Sequence, residues 1–476
     1  MSNDQSNSGA SPCCAPSPTN ELAPKTWKRG TLVYTSGGLV MLFIWLLWGD
    51  FTWSMRARAV GPTAALMFKS FGFSDFMYTL ICVGFPRFTD IFLCPMVSYI
   101  SDRYRSRLGR RIPFLIFTTP FIVIGLAGLG FTSDLGGWIC NIIGVSLPVG
   151  KLIVFSIFWI MLDFGTDLTG ALSSALINDV VPAEMLGRFF ALFRAVSLLA
   201  GIIFNFFFMG MIETHVKYIF VGVAVLYAIG LGTMCWHVKE GEYPPVDSVE
   251  AAKSARQHVF GPVATYFRQS FSLSYYRWVI SAMVLAAFVS VPFNIFSIFY
   301  AKSLNMDMAF YGKLIAVSYL ISFVLSYFLG SLADRFHPLR ASTGALFLYL
   351  GAMLLGYLTV KDARTFGVTL VIHTVFSGCY ATLSASLGAR LFPRALFAQF
   401  NSAYTMIFGI ANVIVGPCLG YCFDLLDKNY HCTFLFGMGA TLIAILAMLK
   451  VYSNFTREGG LKNYTPPDPE KKQTAK

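Results

Sequence analysis

Residues 101–111 read SDRYRSRLGRR and residues 330–340 read GSLADRFHPLR. Each follows a long apolar run, each sets an aspartate directly before an arginine, and the two lie about half the chain length apart. A polar loop repeated at that interval marks a chain built from two related halves. Outward from these loops, stretches apolar enough to cross about 30 Å of hydrocarbon at about 1.5 Å per residue recur about twelve times. They are expected near 32–55, 76–100, 112–132, 149–177, 189–211, 217–237, 274–300, 309–333, 341–360, 366–390, 399–423 and 432–452. The first polar loop follows the second stretch and the other follows the eighth, so the duplication is six plus six.

The expected fold is therefore an all-α membrane protein with twelve transmembrane helices in two six-helix bundles. Its parts are a disordered tail (1–30), a first bundle (31–237), a linker rich in charge and carrying Pro-Pro (238–273), a second bundle (274–452) and a C-terminal tail (453–476). The composition agrees. Of 476 residues, 56% are hydrophobic, 16% aromatic and only 13% charged, against roughly 25% charged in a soluble domain. Such a chain takes a lipid bilayer as its solvent, which argues against a nucleic-acid partner, a secreted disulfide scaffold or an ordinary cytosolic enzyme. The net charge of +12 then reads as basic inner loops. Arg103, Arg105, Arg107, Arg110 and Arg111 in the first loop, with Lys239, Lys253, Arg256 and Arg268 in the linker and Lys462, Lys471 and Lys472 in the tail, place both termini on the cytoplasmic side of a cell membrane.

The ten cysteines lie mostly inside apolar runs without metal or disulfide spacing, so they read as small core residues. Residues 1–30 lack the apolar segment of a signal peptide, and the Cys13–Cys14 pair gives only a weak lipid-anchor signal. No His-Glu metal motif and no nucleophile elbow with partners occurs, so neither an enzyme nor a bound cofactor is expected.

Charge inside a span costs at least about 2.5–3.5 kcal/mol and persists where it meets a partner or a wet cavity. The candidates are Asp50, Arg87, Asp90, Asp163, Asp167 and Arg194, all in the first half. The second half offers the milder Asn294, His373 and Asn412. Arg87 and Asp90 are three apart and Asp163 and Asp167 four apart, so each pair shares a helix face. Two adjacent carboxylates in a poorly solvated cavity do not both ionise cheaply, so one keeps a proton unless a cation binds between them. Four acids against two arginines leave a negative excess, which is what cation-coupled transport needs. For Arg87–Asp90 a purely structural ion pair is the competing reading. At the helix ends, Asp102, Arg103, Asp334 and Arg335 are gate candidates, able to pair with neighbouring helices in one conformation and release them in another.

The two polar loops resemble the signature loop of the major facilitator superfamily, the second copy closely. A narrower resemblance rests on residues 87–95 (RFTDIFLCP), 101–114 (SDRYRSRLGRRIPF) and 158–163 (FWIMLD) with Asp179 beyond. These are similar to the glycoside–pentoside–hexuronide:cation symporters and to the related sucrose carriers. The resemblance implies that Asp50 accepts from sugar hydroxyls, that Arg194 makes the opposing sugar contact, and that Asp90 belongs to a cation site. Trp45, Trp48, Trp53 or Trp159 would face the sugar ring, although packing and interfacial anchoring compete for every tryptophan. The chain departs from the family at Cys94, where a second helix 2 aspartate is usual. It departs again at Ser174, near the family's third acid, and at 409–413, where a lysine is often found. Proton coupling through Asp90, Asp163 or Asp167, with Arg87 beside them, is therefore preferred over sodium.

The expected function is cation-coupled symport of a sugar or glycoside by alternating access, in a monomer, with Asp50, Arg194, Trp48 and Trp159 toward the substrate. A carrier of an amphipathic lipid or drug, and a sensor that keeps the cavity without transport, are the alternatives.

Overall fold

The computed structural model describes residues 26–243, 271–393 and 396–467. The tail cysteines Cys13 and Cys14, most of the linker, and the side chains of Cys94 and Asp334 lie outside the described residues.

The architecture is all-helical apart from one small ribbon. β1 (Trp27–Arg29) pairs antiparallel with β2 (Leu32–Tyr34) through a turn in which Gly30 takes φ 57, a left-handed value that glycine adopts without strain. The ribbon occupies residues expected as tail and as the start of the first span. It is tied to the bundle where the Arg29 Nε donates to the Asn178 carbonyl (3.0 Å) and the Glu242 backbone N–H donates to Thr31 Oγ1 (2.8 Å).

The spans follow in order. In the first half they are α1 (Ser36–Ser70), α2 (Asp75–Thr79, a π-turn Leu80–Gly84, then Phe85–Arg103), α3 (Ile112–Gly130), α4 (Leu147–Val180), α5 (Leu186–Ile203, extended by turns to Met211) and α6 (Val216–His237). In the second half they are α7 (Ser274–Phe288 and Val291–Ser303), α8 (Met308–Phe336), α9 (Pro338–Thr359), α10 (Ala363–Ser384 with Leu387–Leu391), α11 (Phe397–Leu425) and α12 (Cys432–Arg457). Eleven of these are long and apolar enough to cross a membrane by composition among the described residues. The twelfth, α2, carries Arg87 and Asp90 in its interior. The connection between the third and fourth spans holds a further amphipathic helix, Thr132–Ile143.

The largest departure from expectation is α1, which runs to Ser70 and not to about 55. The Arg56-Ala57-Arg58 sequence resembles a span end, yet the helix continues through it and past Pro62. Two arginines and Lys69 are thereby drawn into the bundle.

The halves meet along α2–α11 and α5–α8, and they meet at one end. Near Gly420 the α2 backbone approaches so closely that a Cβ would stand 2.5 Å from the Asp75 carbonyl oxygen, and at Gly312 one would stand 2.2 Å from the Asn205 carbonyl oxygen. Only glycine fits at such a crossing. The π-turns Leu80–Gly84 and Phe204–Phe208 lie at these same two seams, in keeping with the usual occurrence of π-turns at functional places. Hydrogen bonds lock this end. Asp424 of α11 accepts from the backbone N–H groups of Asp75 and Phe76 (2.9 Å each), the first turn of α2, where a carboxylate is favoured. Tyr430 donates to Asp75 (2.7 Å) and accepts from Lys69 (2.5 Å), and Lys302 pairs with Glu213.

The opposite end, which carries the basic loop, is organised within the first half. Asp179 holds Arg110 (2.6 Å) and Arg111 (3.3 Å), and Asp102 holds the same two guanidiniums, Arg110 at 3.6 Å. Glu240 accepts from the backbone N–H groups of Arg110, Arg111 and Ile112 at 2.7–2.9 Å, capping α3. Tyr243 covers Arg110 at 4.2 Å. Burial, reinforced by nearby Asp179 and Glu240, pushes the Tyr243 hydroxyl up to about 12, so it stays protonated and donates to Glu240 (3.3 Å). The related loop of the second half is built differently, with a single residue, His337 at φ 67, joining α8 to α9.

Candidate functional site

The α1–α2–α4 junction gathers the acids that the sequence singles out. On α2, Arg87 pairs with Asp90 (2.9 Å), as their spacing requires. One residue earlier than Asp90, the Thr89 hydroxyl lies 3.0 Å from Asp163 Oδ2 and 3.2 Å from Asp167 Oδ2 on α4. It also lies within reach of two backbone carbonyls of its own helix. A hydroxyl has one proton to give, so it satisfies at most one of these acceptors at a time. Asp167 also lies within hydrogen-bond reach of Asp90.

The positive side of the cluster comes from Arg56, which the sequence reading left outside the first span. Its side chain is only 6% exposed, and it donates to Thr166 Oγ1 (3.0 Å), one residue before Asp167. Asp163 and Asp167 are its acidic neighbours, and the Trp53 ring covers its guanidinium at 4.2 Å. Three carboxylates thus face two guanidiniums, with one negative charge in excess. The signal that would have found Arg56 is the apolar pattern AVGPTAALMF after Arg58, which continues the helix.

No described hydrogen bond joins the expected substrate residues to this cluster or to one another. Asp50 is 6% exposed; Ser54 lies 3.5 Å from its Oδ1, and its Oδ2 has no partner in the described structure. Arg194 is exposed on α5 and makes no described hydrogen bond or ion pair. Trp48 donates to Thr233 of α6 (3.2 Å) and stacks on Phe51, while Trp159 is buried against Phe155 at 5.5 Å. Both indoles are thus engaged in packing. Of the gate candidates, Asp102 pairs within its own half and Arg335 covers the Phe336 ring at 5.5 Å. Arg103 extends the exposed end of α2.

Between the halves lies a cavity of about 310 Å³. Arg58, Asn205, Asn294, Tyr311, Tyr319 and His373 contribute its polar wall. Arg58 donates to Tyr319 across the interface (2.8 Å). A second recess of about 390 Å³, lined by Leu80, Ile81, Phe85, Phe88, Ile160 and Val413 with Ser156, is nearly wholly apolar and lies between α2, α4 and α11.

Known proteins resemble this chain in sequence and shape. It is 26% identical over 165 residues to a sucrose transport protein of Oryza sativa subsp. indica, covering 32% of this chain and 31% of that one. It is 25% identical over 245 residues to the general alpha-glucoside permease of Schizosaccharomyces pombe, covering 49% and 42%. The matches thus span less than half the length of these curated relatives. A crystal structure of a D-xylose–proton symporter superposes with a TM-score of 0.63 at 13% identity, over 91% of this chain and 99% of that one, a likeness of fold. The family model for the Major Facilitator Superfamily matches residues 46–359 and 278–475. With the six-plus-six helices and the repeated Asp-Arg loops, that match makes the chain a member of the major facilitator superfamily.

Proposed function

We propose that the protein is a proton-coupled symporter of a neutral sugar or glycoside, working by alternating access in a cell membrane with both termini cytoplasmic. The observation that carries the coupling is the one-charge deficit at the α1–α2–α4 junction. Asp90, Asp163 and Asp167 share two guanidiniums and one threonine hydroxyl, and a carboxyl pair in mutual hydrogen-bond reach, as Asp90 and Asp167 are, is favourable when one carries a proton. Binding one proton neutralises the cluster, which lowers the cost of moving it through a low-dielectric state. The departures at Cys94 and Ser174, where the family's cation-site acids are expected, favour a proton over sodium.

The cavity between the halves is sealed at one end by the Asp424 and Tyr430 contacts, a geometry that suits a carrier open toward its basic, cytoplasmic side. Opening the seal while the halves close at the other end would alternate access, with Asp102, Arg103, Asp334 and Arg335 as inner gate groups. The sugar assignment is supported by the names of the Oryza and Schizosaccharomyces relatives. Asp50, with one oxygen unpartnered among the described residues, and Arg194, with no described partner, are first-half groups available to hydroxyls once the halves rearrange. Trp48 and Trp159 would flank that site. No covalent chemistry is involved and the protein acts as a monomer.

The apolar recess at Phe85 and Phe88 favours a second reading, carriage of an amphipathic lipid. Counterflow in liposomes separates the two. Sucrose, maltose and D-xylose are tested as exchange substrates, with a lysolipid as competitor. Exchange of a sugar, lost in Asp50→Asn, supports the proposal; no sugar exchange together with saturable lysolipid movement overturns it.

A further inference from the structure

Three side chains of the second half form a hydrogen-bonded series that ends in the cavity between the halves. Tyr349 of α9 lies 2.8 Å from His373 Nδ1, His373 Nε2 lies 3.2 Å from Asn294 Oδ1, and the Asn294 amide nitrogen lies 3.3 Å from Ser290 Oγ. Tyr349 and His373 are each 1% exposed, whereas Asn294 is exposed and lines the cavity. We propose that Asn294 is a sugar-contacting, specificity-determining residue, and that His373 and Tyr349 are positioning residues that fix its amide with the N–H side toward the substrate. The inference rests on the sugar-transport reading and deepens it.

The direction of the series follows from its buried end. The Tyr349 hydroxyl has a single described partner, His373 Nδ1, and a buried hydroxyl proton left without an acceptor is costly. Tyr349 therefore donates and Nδ1 accepts. The imidazole is then neutral with its proton on Nε2, and that proton goes to Asn294, whose accepting atom is the carbonyl oxygen. The amide nitrogen is left with two protons, one directed to Ser290 and the other free for the cavity. Phe293 stacks on the imidazole at 4.0 Å and holds its plane, so the series is fixed by packing as well as by bonding. On the other wall Arg58, held by Tyr319, contributes further N–H donors from the first half.

A site whose two walls both donate selects a ligand rich in acceptors and without positive charge. Hydroxyl oxygens of a neutral sugar fit; an ammonium placed against the Arg58 guanidinium and the Asn294 amide does not. An amino sugar should accordingly be excluded where the parent sugar is carried. The relay makes the preference directional, because a flipped amide of the same shape would present an acceptor and break the bond to His373.

The test uses full-length protein in liposomes, with counterflow of sucrose and maltose and of their monodeoxy, monodeoxyfluoro and amino analogues. Fluorine accepts weakly and does not donate, so at the contacted position the wild type should retain the fluoro analogue better than the deoxy analogue. Asn294→Ala and Asn294→Asp should raise the apparent KM roughly 10-fold or more and erase that distinction, with saturated rate and ΔpH-driven accumulation little changed. Tyr349→Phe keeps the ring and removes the donor, so the apparent KM should rise about 5-fold at unchanged kcat. A fall in kcat with normal KM for Tyr349→Phe would mark a merely structural role and overturn the relay. Normal KM for Asn294→Ala with every sugar the wild type carries overturns the subsite alone. Failure of the wild type to exchange any sugar overturns the transport reading, and the subsite with it.

Discussion

The two halves use polarity within the spans in opposite ways. The first crowds three carboxylates and two guanidiniums around the α1–α2–α4 junction, where Thr89 and Thr166 are the neutral partners. The second places Tyr349, His373 and Asn294 in series, each bond neutral and directional. Charge responds to protons, and directional hydrogen bonds respond to the shape of hydroxyl groups. The difference teaches that coupling and recognition can sit in different bundles and still act on one cavity, since Arg58 of the first half and Asn294 of the second line the same space.

The sharpest way to break this division is to remove a carboxylate from the charged side. Asp167→Asn should end gradient-driven accumulation while exchange of internal for external sugar continues, and Asp90→Asn should do the same. If either variant still concentrates sugar under a pH gradient, the cluster is a structural ion-pair network. A second test concerns the arginine that balances the acids. Arg56→Gln leaves carboxylates facing one guanidinium, and loss of one partner from a buried charge set costs about 3–5 kcal/mol. Thermal unfolding in detergent should show a large drop, partly restored in Arg56→Gln/Asp167→Asn because the charge count is rebalanced. Additive losses would mean that Arg56 does not belong to the cluster.

Smaller effects are expected at the two ends. Asp424→Asn weakens the carboxylate on the first turn of α2, worth about 0.3–1 kcal/mol and up to about 2 when partly buried. A cysteine introduced at Val83, which packs near Gly416 in that seam, should then label several-fold faster from outside, because the sealed end opens more often. Glu240→Gln, at the other end, removes a cap within one half and should lower stability by about 0.5–2 kcal/mol while leaving accumulation nearly unchanged. A strong transport defect there would show that the inner lattice also couples the halves.

Much of the fold is written in patterns that need no partner to be read. Apolar run length, the repeated Asp-Arg loops and the basic asymmetry are local properties, and they lead to twelve spans in two bundles. The Asp163–Asp167 and Arg87–Asp90 pairs are legible for the same reason, since i,i+3 and i,i+4 spacing fixes a shared face. Arg56 is not, because two arginines one residue apart look like the end of a span, and only the packing of α1 against α4 and α6 reveals a helix that continues. Asp424 is hidden in another way. Its partners are backbone N–H groups of α2, which every residue carries, so no side-chain pattern announces them. Asn294 and His373 are visible as polar residues in apolar runs, but their order in a series with Tyr349 depends on three separate helices. Asp50 and Arg194 are legible as charges inside spans, but their sugar-binding roles come only through family resemblance, and no described hydrogen bond joins them.

The central claim is that one proton enters with each sugar to neutralise the Asp90–Asp163–Asp167 cluster. Its most direct test is the proton flux that sugar itself sets off, followed with a pH-sensitive dye sealed inside sodium-free proteoliposomes with no imposed gradient. Adding a carried sugar outside should acidify the lumen by one proton per sugar taken up, and Asp167→Asn should abolish that acidification while exchange persists. Sugar entry with no change in lumenal pH, or entry that needs sodium, would contradict the account.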